Sequence, residues 1–175
     1  MKRYLVILMT LVMFVGCQSR QVTFNLEKDG VLYNYNEMMS LYHPRHWTLS
    51  KDELKLSLDI INESEKEALY FDAFDVEASN NHQELITLYE AKLKDLGLDV
   101  LEVQEATLEN GQKCFYVEGT IPKNQTAFCE VVVYSGQKQY IYSYIANQEV
   151  FEENQEIMLH YLYSLSVNEA MKTAL

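Results

Sequence analysis

Four histidines, three cysteines and a run of carboxylates are the side chains with which this 175-residue chain could do chemistry. His43 and His46 stand three apart beside Trp47, the only tryptophan, and two imidazoles at that separation can share a metal ion. Pro44 lies between them, so the spacing belongs to a turn and not to one face of a helix, and packing at a turn is the better account. His82 and His160 are isolated and read as structural. Asp59, Glu63, Glu65, Glu67, Asp72, Asp75 and Glu77 are dense enough to suggest calcium. They lack the alternating Asp/Asn ligands and the glycine that bend a loop around that ion, and read as a solvated face. The chain has no G-x-S-x-G, no H-E-x-x-H and no glycine-rich phosphate loop, with only six glycines in all. No catalytic residue, metal site or cofactor is expected. Cys114 and Cys129 are too widely spaced for a redox C-x-x-C pair. Cys17 differs from both: it ends an apolar run.

That run, Tyr4–Val15, follows Lys2 and Arg3 and is interrupted only by Thr10. At 12 residues it falls short of the ~20 needed to span a bilayer and suits the apolar core of a signal peptide. Phe14-Val15-Gly16-Cys17 resembles the lipobox of bacterial lipoproteins, with Phe14 where leucine is usual. The resemblance implies diacylglyceryl transfer to the Cys17 thiol and cleavage before it. Two acyl chains hold a protein on a membrane where one does not, each buried CH₂ contributing about 0.8 kcal/mol. The expected organisation is a signal peptide over 1–16, lipidated Cys17 and a polar tether over 17–30, one domain over 31–168 and a loose tail over 169–175. Removing 1–16 takes away two of 14 basic and none of 26 acidic residues, leaving 159 residues of net charge −14. So acidic a chain excludes nucleic acid and electrostatic attachment to anionic head groups. Its membrane contact is expected through Cys17, on the extracytoplasmic face, with another envelope protein as partner.

The elements of the domain follow from periodicity. Leu54, Leu56, Leu58 and Ile60 alternate with polar residues, and a second strand over 68–78 pairs with them across the charged turn 62–67. A first strand begins at Val31, another ends at His43-Pro44, and the tether allows a strand over Val22–Leu26. Asn81 caps a helix whose Leu85, Ile86, Tyr89, Leu93 and Leu96 form one face, stopped by Gly97. Three turns, at Asn110-Gly111, Pro122-Lys123-Asn124 and Ser135-Gly136-Gln137, then fold four strands into a meander. A last helix starts at Asn147, and Val150, Phe151, Ile157, Met158, Tyr161 and Leu162 line one broad face of it. The order predicts an α+β fold, an antiparallel β-sheet with helices packed on it.

Several features together resemble the PsbP-like (Mog/PsbP/DcrB-type) α/β/α sandwich over roughly 31–168. They are the Tyr42-His43-Pro44-Arg45-His46-Trp47 turn, the leucine-rich helix, the Asn-Gly hairpin, the Tyr140-Ile141-Tyr142-Ser143-Tyr144 strand and the closing Ser164-Leu165-Ser166. The class shares core positions and turns and no common site, so it implies the fold and a mostly non-enzymatic, binding or accessory role. It assigns no functional residue.

Two local questions stay open at this level. Cys114 and Cys129 lie roughly opposite each other if the intervening turn centres near 121–122, which allows a disulfide; otherwise they are buried thiols. Tyr140, Tyr142 and Tyr144 share one strand face and Ile141 and Ile145 the other. The tyrosines then form either an outward ladder for protein or glycan contact or a core layer under a helix. The expected function is a lipid-anchored, extracytoplasmic, non-catalytic binding or accessory module of a bacterial envelope. The alternatives are a small metal-dependent envelope hydrolase and a ligand-carrying lipoprotein.

Overall fold

The computed structural model describes residues 24–35, 38–52, 56–76 and 81–168. The apolar run 4–15, Cys17 and residues 169–175, expected from the sequence to be signal peptide, lipidation site and tail, lie outside these residues. Seven strands form one antiparallel sheet in the order β3-β4-β5-β9-β8-β7-β6. They are β3 (Thr48–Asp52), β4 (Ser57–Asn62), β5 (Glu67–Asp75), β6 (Asp99–Thr107), β7 (Lys113–Ile121), β8 (Thr126–Ser135) and β9 (Lys138–Asn147). A smaller sheet joins β1 (Gly30–Tyr35), β2 (Met39–Pro44) and β10 (Ser166–Val167) in the order β1-β2-β10. Helix α1 is a single turn, Leu26–Asp29; α2 spans His82–Asp95 and α3 Gln148–Tyr163.

The large sheet separates two apolar layers. On one face α2 places Ile86 and Leu93 against Phe115, Val117, Phe128, Val132 and Ile141. On the other, α3 and the small sheet cover Tyr140, Tyr142, Tyr144, Cys129, Val131 and Phe71. The strict period of two in β9 sends its isoleucines to the α2 side and its tyrosines to the α3 side. This is the expected α+β sandwich, with one long helix on each face.

The helix starts follow the expected chemistry. Asn81 Oδ1 accepts from the Glu84 amide at 3.2 Å, and Asn147 Oδ1 from the Val150 amide at 3.0 Å. Each cap satisfies an amide that the first turn leaves without a partner, worth about 1 kcal/mol. Gly97, at φ +84°, ends α2 in the left-handed conformation that glycine adopts without steric cost.

Two expectations change, at residues 24–29 and at Leu96, and the structure adds two features at the edges of the large sheet. Residues 24–29 are not a strand at the end of a tether: Asn25 caps α1, and Phe24 stacks on His160 with ring centroids 4.9 Å apart. Ordered packing therefore begins before residue 31. β3, whose Thr-Leu-Ser-Lys-Asp sequence has no clear alternation, is an edge strand paired only to β4. Leu96 caps α2 and is exposed, outside the apolar face assigned to it. β6, the other edge strand, buries Val100, Val103 and Ala106 only partly, and a bulge between Val100 and Glu102 shifts its register on β7.

Candidate functional site

None of the histidines forms a metal pair. His43 is buried on β2, its Nδ1 3.0 Å from the Pro44 carbonyl, and burial lowers its pKa. His46 is exposed in the following turn. His82 packs beside Tyr134 and His160 beneath Phe24. No group of three metal-ligating side chains occurs among the described residues. Most of the described carboxylates in the acidic run are solvated as expected. Glu67 is the exception, buried where β5 begins.

Glu67 holds α3 to the sheet. Its carboxylate accepts from Tyr144 Oη at 2.7 Å, Asn154 Nδ2 at 3.1 Å and Asn62 Nδ2 at 2.9 Å. A second tie lies nearby: Glu118 accepts from the Tyr116 hydroxyl and from Gln155 Nε2, the latter at 2.7 Å. Tyr142 donates to the Tyr42 carbonyl at 2.8 Å and so pins the small sheet. The outward tyrosine ladder is thereby corrected. Tyr140, Tyr142 and Tyr144 are buried, because α3 and β2 cover their face, while the Tyr42 carbonyl of β2 and the Glu67 carboxylate of β5 accept from the hydroxyls of Tyr142 and Tyr144.

The disulfide is corrected as well. Cys129 pairs with Glu118 and Cys114 with Ala106, and both thiols are free and buried. Four residues of offset along β7 separate the two by roughly 13 Å, beyond the ~7 Å between Cα atoms that a bridge allows. Burial pushes the Cys114 thiol up to about 11 and raises Cys129 further. Both are therefore expected to stay unreactive towards a thiol reagent such as DTNB in the native state, and to react once denaturant opens the sheet. Rapid native-state modification of either, mapped by peptide mass spectrometry, would contradict this packing.

The α2 side carries the feature best suited to binding. Where β5, β8 and β9 end, a cleft of about 590 Å³ opens between the sheet and α2. Phe74, Asp75 and Val76 form one wall, and Glu84, Leu85, Leu88, Tyr89 and Lys92 the other. Tyr134 and Gln139 close the end, joined by a bond from Gln139 Nε2 to the Tyr134 hydroxyl at 3.1 Å. Phe74 is 45% and Leu88 62% exposed, which leaves two large apolar groups facing water across the opening. The Lys92 ammonium stands 5.7 Å from the centre of the Phe74 ring, within reach of a cation–π attraction.

Beneath the cleft lies Glu130, a fully buried carboxyl. It accepts from Tyr89 Oη at 2.7 Å and from Ser143 Oγ at 3.0 Å. Desolvation raises its pKa to about 7, against the opposing effect of these two bonds, and the same carboxyl adds to the burial that pushes the Tyr89 hydroxyl well up. The Glu130–Tyr89 bond ties α2 to the sheet at the floor of the cleft. Sequence reasoning missed this site, although a signal was present: Glu130 is the one charged residue in the apolar run Ala127–Tyr134.

An antiparallel sheet with one long helix on each face and a small second sheet on the α3 side is a PsbP/Mog1-type α+β fold. Among solved structures the chain is similar to cyanobacterial PsbP (CyanoP) from Synechocystis sp. PCC 6803, at 9% identity and TM-score 0.62, over 89% of this chain and 99% of that one. It is also similar to a variant of Mog1, at 10% identity and TM-score 0.55, over 83% and 99% of the two chains. A protein of unknown function from Pseudomonas aeruginosa aligns at 10% identity and TM-score 0.51, over 83% and 96%. No protein-family model and no curated protein sequence matches the chain. Identities this low carry the fold and nothing about activity.

Proposed function

We propose that this chain is a lipid-anchored, extracytoplasmic binding or accessory module of a bacterial cell envelope, without catalysis of its own. The cleft beside α2 carries the binding part of this reading, because it leaves Phe74 and Leu88 facing water on opposite walls of a concavity. A folded domain gains nothing from such exposure unless something covers it. The carboxyls bonded between the layers support a non-catalytic role: buried Glu67 and Glu130 and half-buried Glu118 bond to side chains of α2, α3 and the sheet, and hold the layers together. The anchoring part rests on Leu5–Cys17, where a short apolar run ends at a cysteine suited to acylation. A net charge of −14 after cleavage sets the chain against nucleic acid. Among the described residues no helix is long and apolar enough to cross a membrane, so attachment falls to Cys17 in this reading.

Crosslinking in intact membranes followed by affinity recovery of the full chain tests the role. A reproducible envelope protein is the expected result. Recovery of no reproducible partner across crosslinker lengths contradicts it.

A further inference from the structure

The cleft has a chemical character that narrows its occupant. Its apolar lips are Phe74 and Leu88, and carboxyls outnumber cations around them. Asp75 and Glu84 line the opening, and half-buried Asp72 lies close enough to add to the rise in the Tyr89 pKa. Against these stand Lys92, over the Phe74 ring, and Lys138, bonded to Asp75 at 2.7 Å. Like charge disfavours a second copy of so acidic a chain at this place. The first and last described residues stand away from it. Phe24 packs on Tyr161 of α3, and the Asn168 amide bonds to the Met38 carbonyl beside β2, both on the opposite side of the large sheet.

We propose that this cleft receives a segment of a partner protein in which an apolar side chain is flanked by lysine or arginine, the apolar group seated between Phe74 and Leu88. The inference rests on the binding-module reading above and adds the partner's chemistry. The position of Lys92 shows how a cation is accommodated there: its ammonium uses the face of Phe74, and a partner's ammonium or guanidinium meets Glu84 and the exposed carboxylate of Asp75 at the rim. Charge of this kind sets the choice of partner, and the two apolar groups supply the contact area.

The test uses the full chain in phosphatidylcholine nanodiscs, with a photoreactive residue at exposed Leu88 or, as control, at exposed Ile157 on α3. The probe is a labelled synthetic peptide of alternating leucine and lysine, compared with one of leucine and glutamate. Capture of the lysine peptide from position 88 is expected to exceed that of the glutamate peptide, and capture from position 157, by about tenfold. Glu84→Lys is expected to reduce it severalfold with the circular dichroism unchanged. Equal capture of both peptides, equal capture from both positions, or none from position 88 overturns the inference. In intact membranes, a partner crosslinked from position 157 and not from 88 overturns the cleft assignment and leaves the binding-module reading standing. Absence of any partner removes that reading itself.

Discussion

Valine in place of Gly119 is expected to destabilise the domain by about 3 kcal/mol or more, the upper end of what overpacking costs. Gly119 sits on β7 opposite Val100 and Phe128, on the face that α2 covers. A Cβ added there would meet the Asp99 carbonyl oxygen at 2.4 Å and two Phe128 ring atoms at 2.7 Å. The ring can turn; the carbonyl belongs to β6, beside the bulge that sets its register. Relief therefore requires β6 to move away from β7, which breaks ladder bonds as well as packing. For a domain of this size such a loss corresponds to a fall in melting temperature of roughly 6–12 °C. Gly119→Ala is expected to show a smaller fall of the same kind, and Phe128→Leu to restore only part of it. A Gly119→Val protein melting within a degree or two of the native chain would show that β6 does not approach β7 this closely.

The second large effect is a dependence on pH. Glu130 has its folded pKa raised to about 7 by burial, against an ordinary value of 4.5. Between those two values the folded state binds a proton that the unfolded state has lost. Stability from this group therefore falls as pH rises from about 4.5 to 7 and is level on either side. A gap of that size amounts to about 3 kcal/mol. A glutamine side chain at this position reproduces the protonated carboxyl: its carbonyl still accepts from Tyr89, and its amide can donate to a reoriented Ser143 hydroxyl. Glu130→Gln is thus expected to be more stable than the native chain at pH 7.5 and close to it at pH 4.5, measured by urea unfolding across that range. Taking the difference between the two proteins cancels the carboxylates they share. A difference constant with pH would contradict the raised pKa.

Much of the fold could be read in the chain because its strands and helices obey simple periods. The alternation in Tyr140–Ile145 divided the sheet into its two faces, and Asn81 and Asn147 marked both long helices before their packing was known. Failures arose where a tertiary contact decides. β3 is held only by pairing with β4 and has no pattern of its own. Glu67 closes a turn composed like a solvated one, and only the arrival of Tyr144 and Asn154 buries it. The tyrosine face was legible as a face, but whether α3 would cover it was not. The cleft was hidden for the same reason: Phe74 and Leu88 lie on different elements, and sequence spacing says nothing about the gap between them. Glu130 was the legible clue left unused, since a lone carboxylate inside an apolar strand must find partners or change its proton affinity.

Chemistry at Cys17 is what holds this domain on the outside of a membrane in the proposed function, and every other part of the role depends on it. Feeding cells an alkyne fatty acid, then attaching a fluorophore to the purified chain, measures it directly. The predicted result is a labelled protein that begins at Cys17 by mass spectrometry and loses its label in Cys17→Ala. Labelling that survives Cys17→Ala, or an unlabelled chain recovered from the membrane fraction, would contradict it.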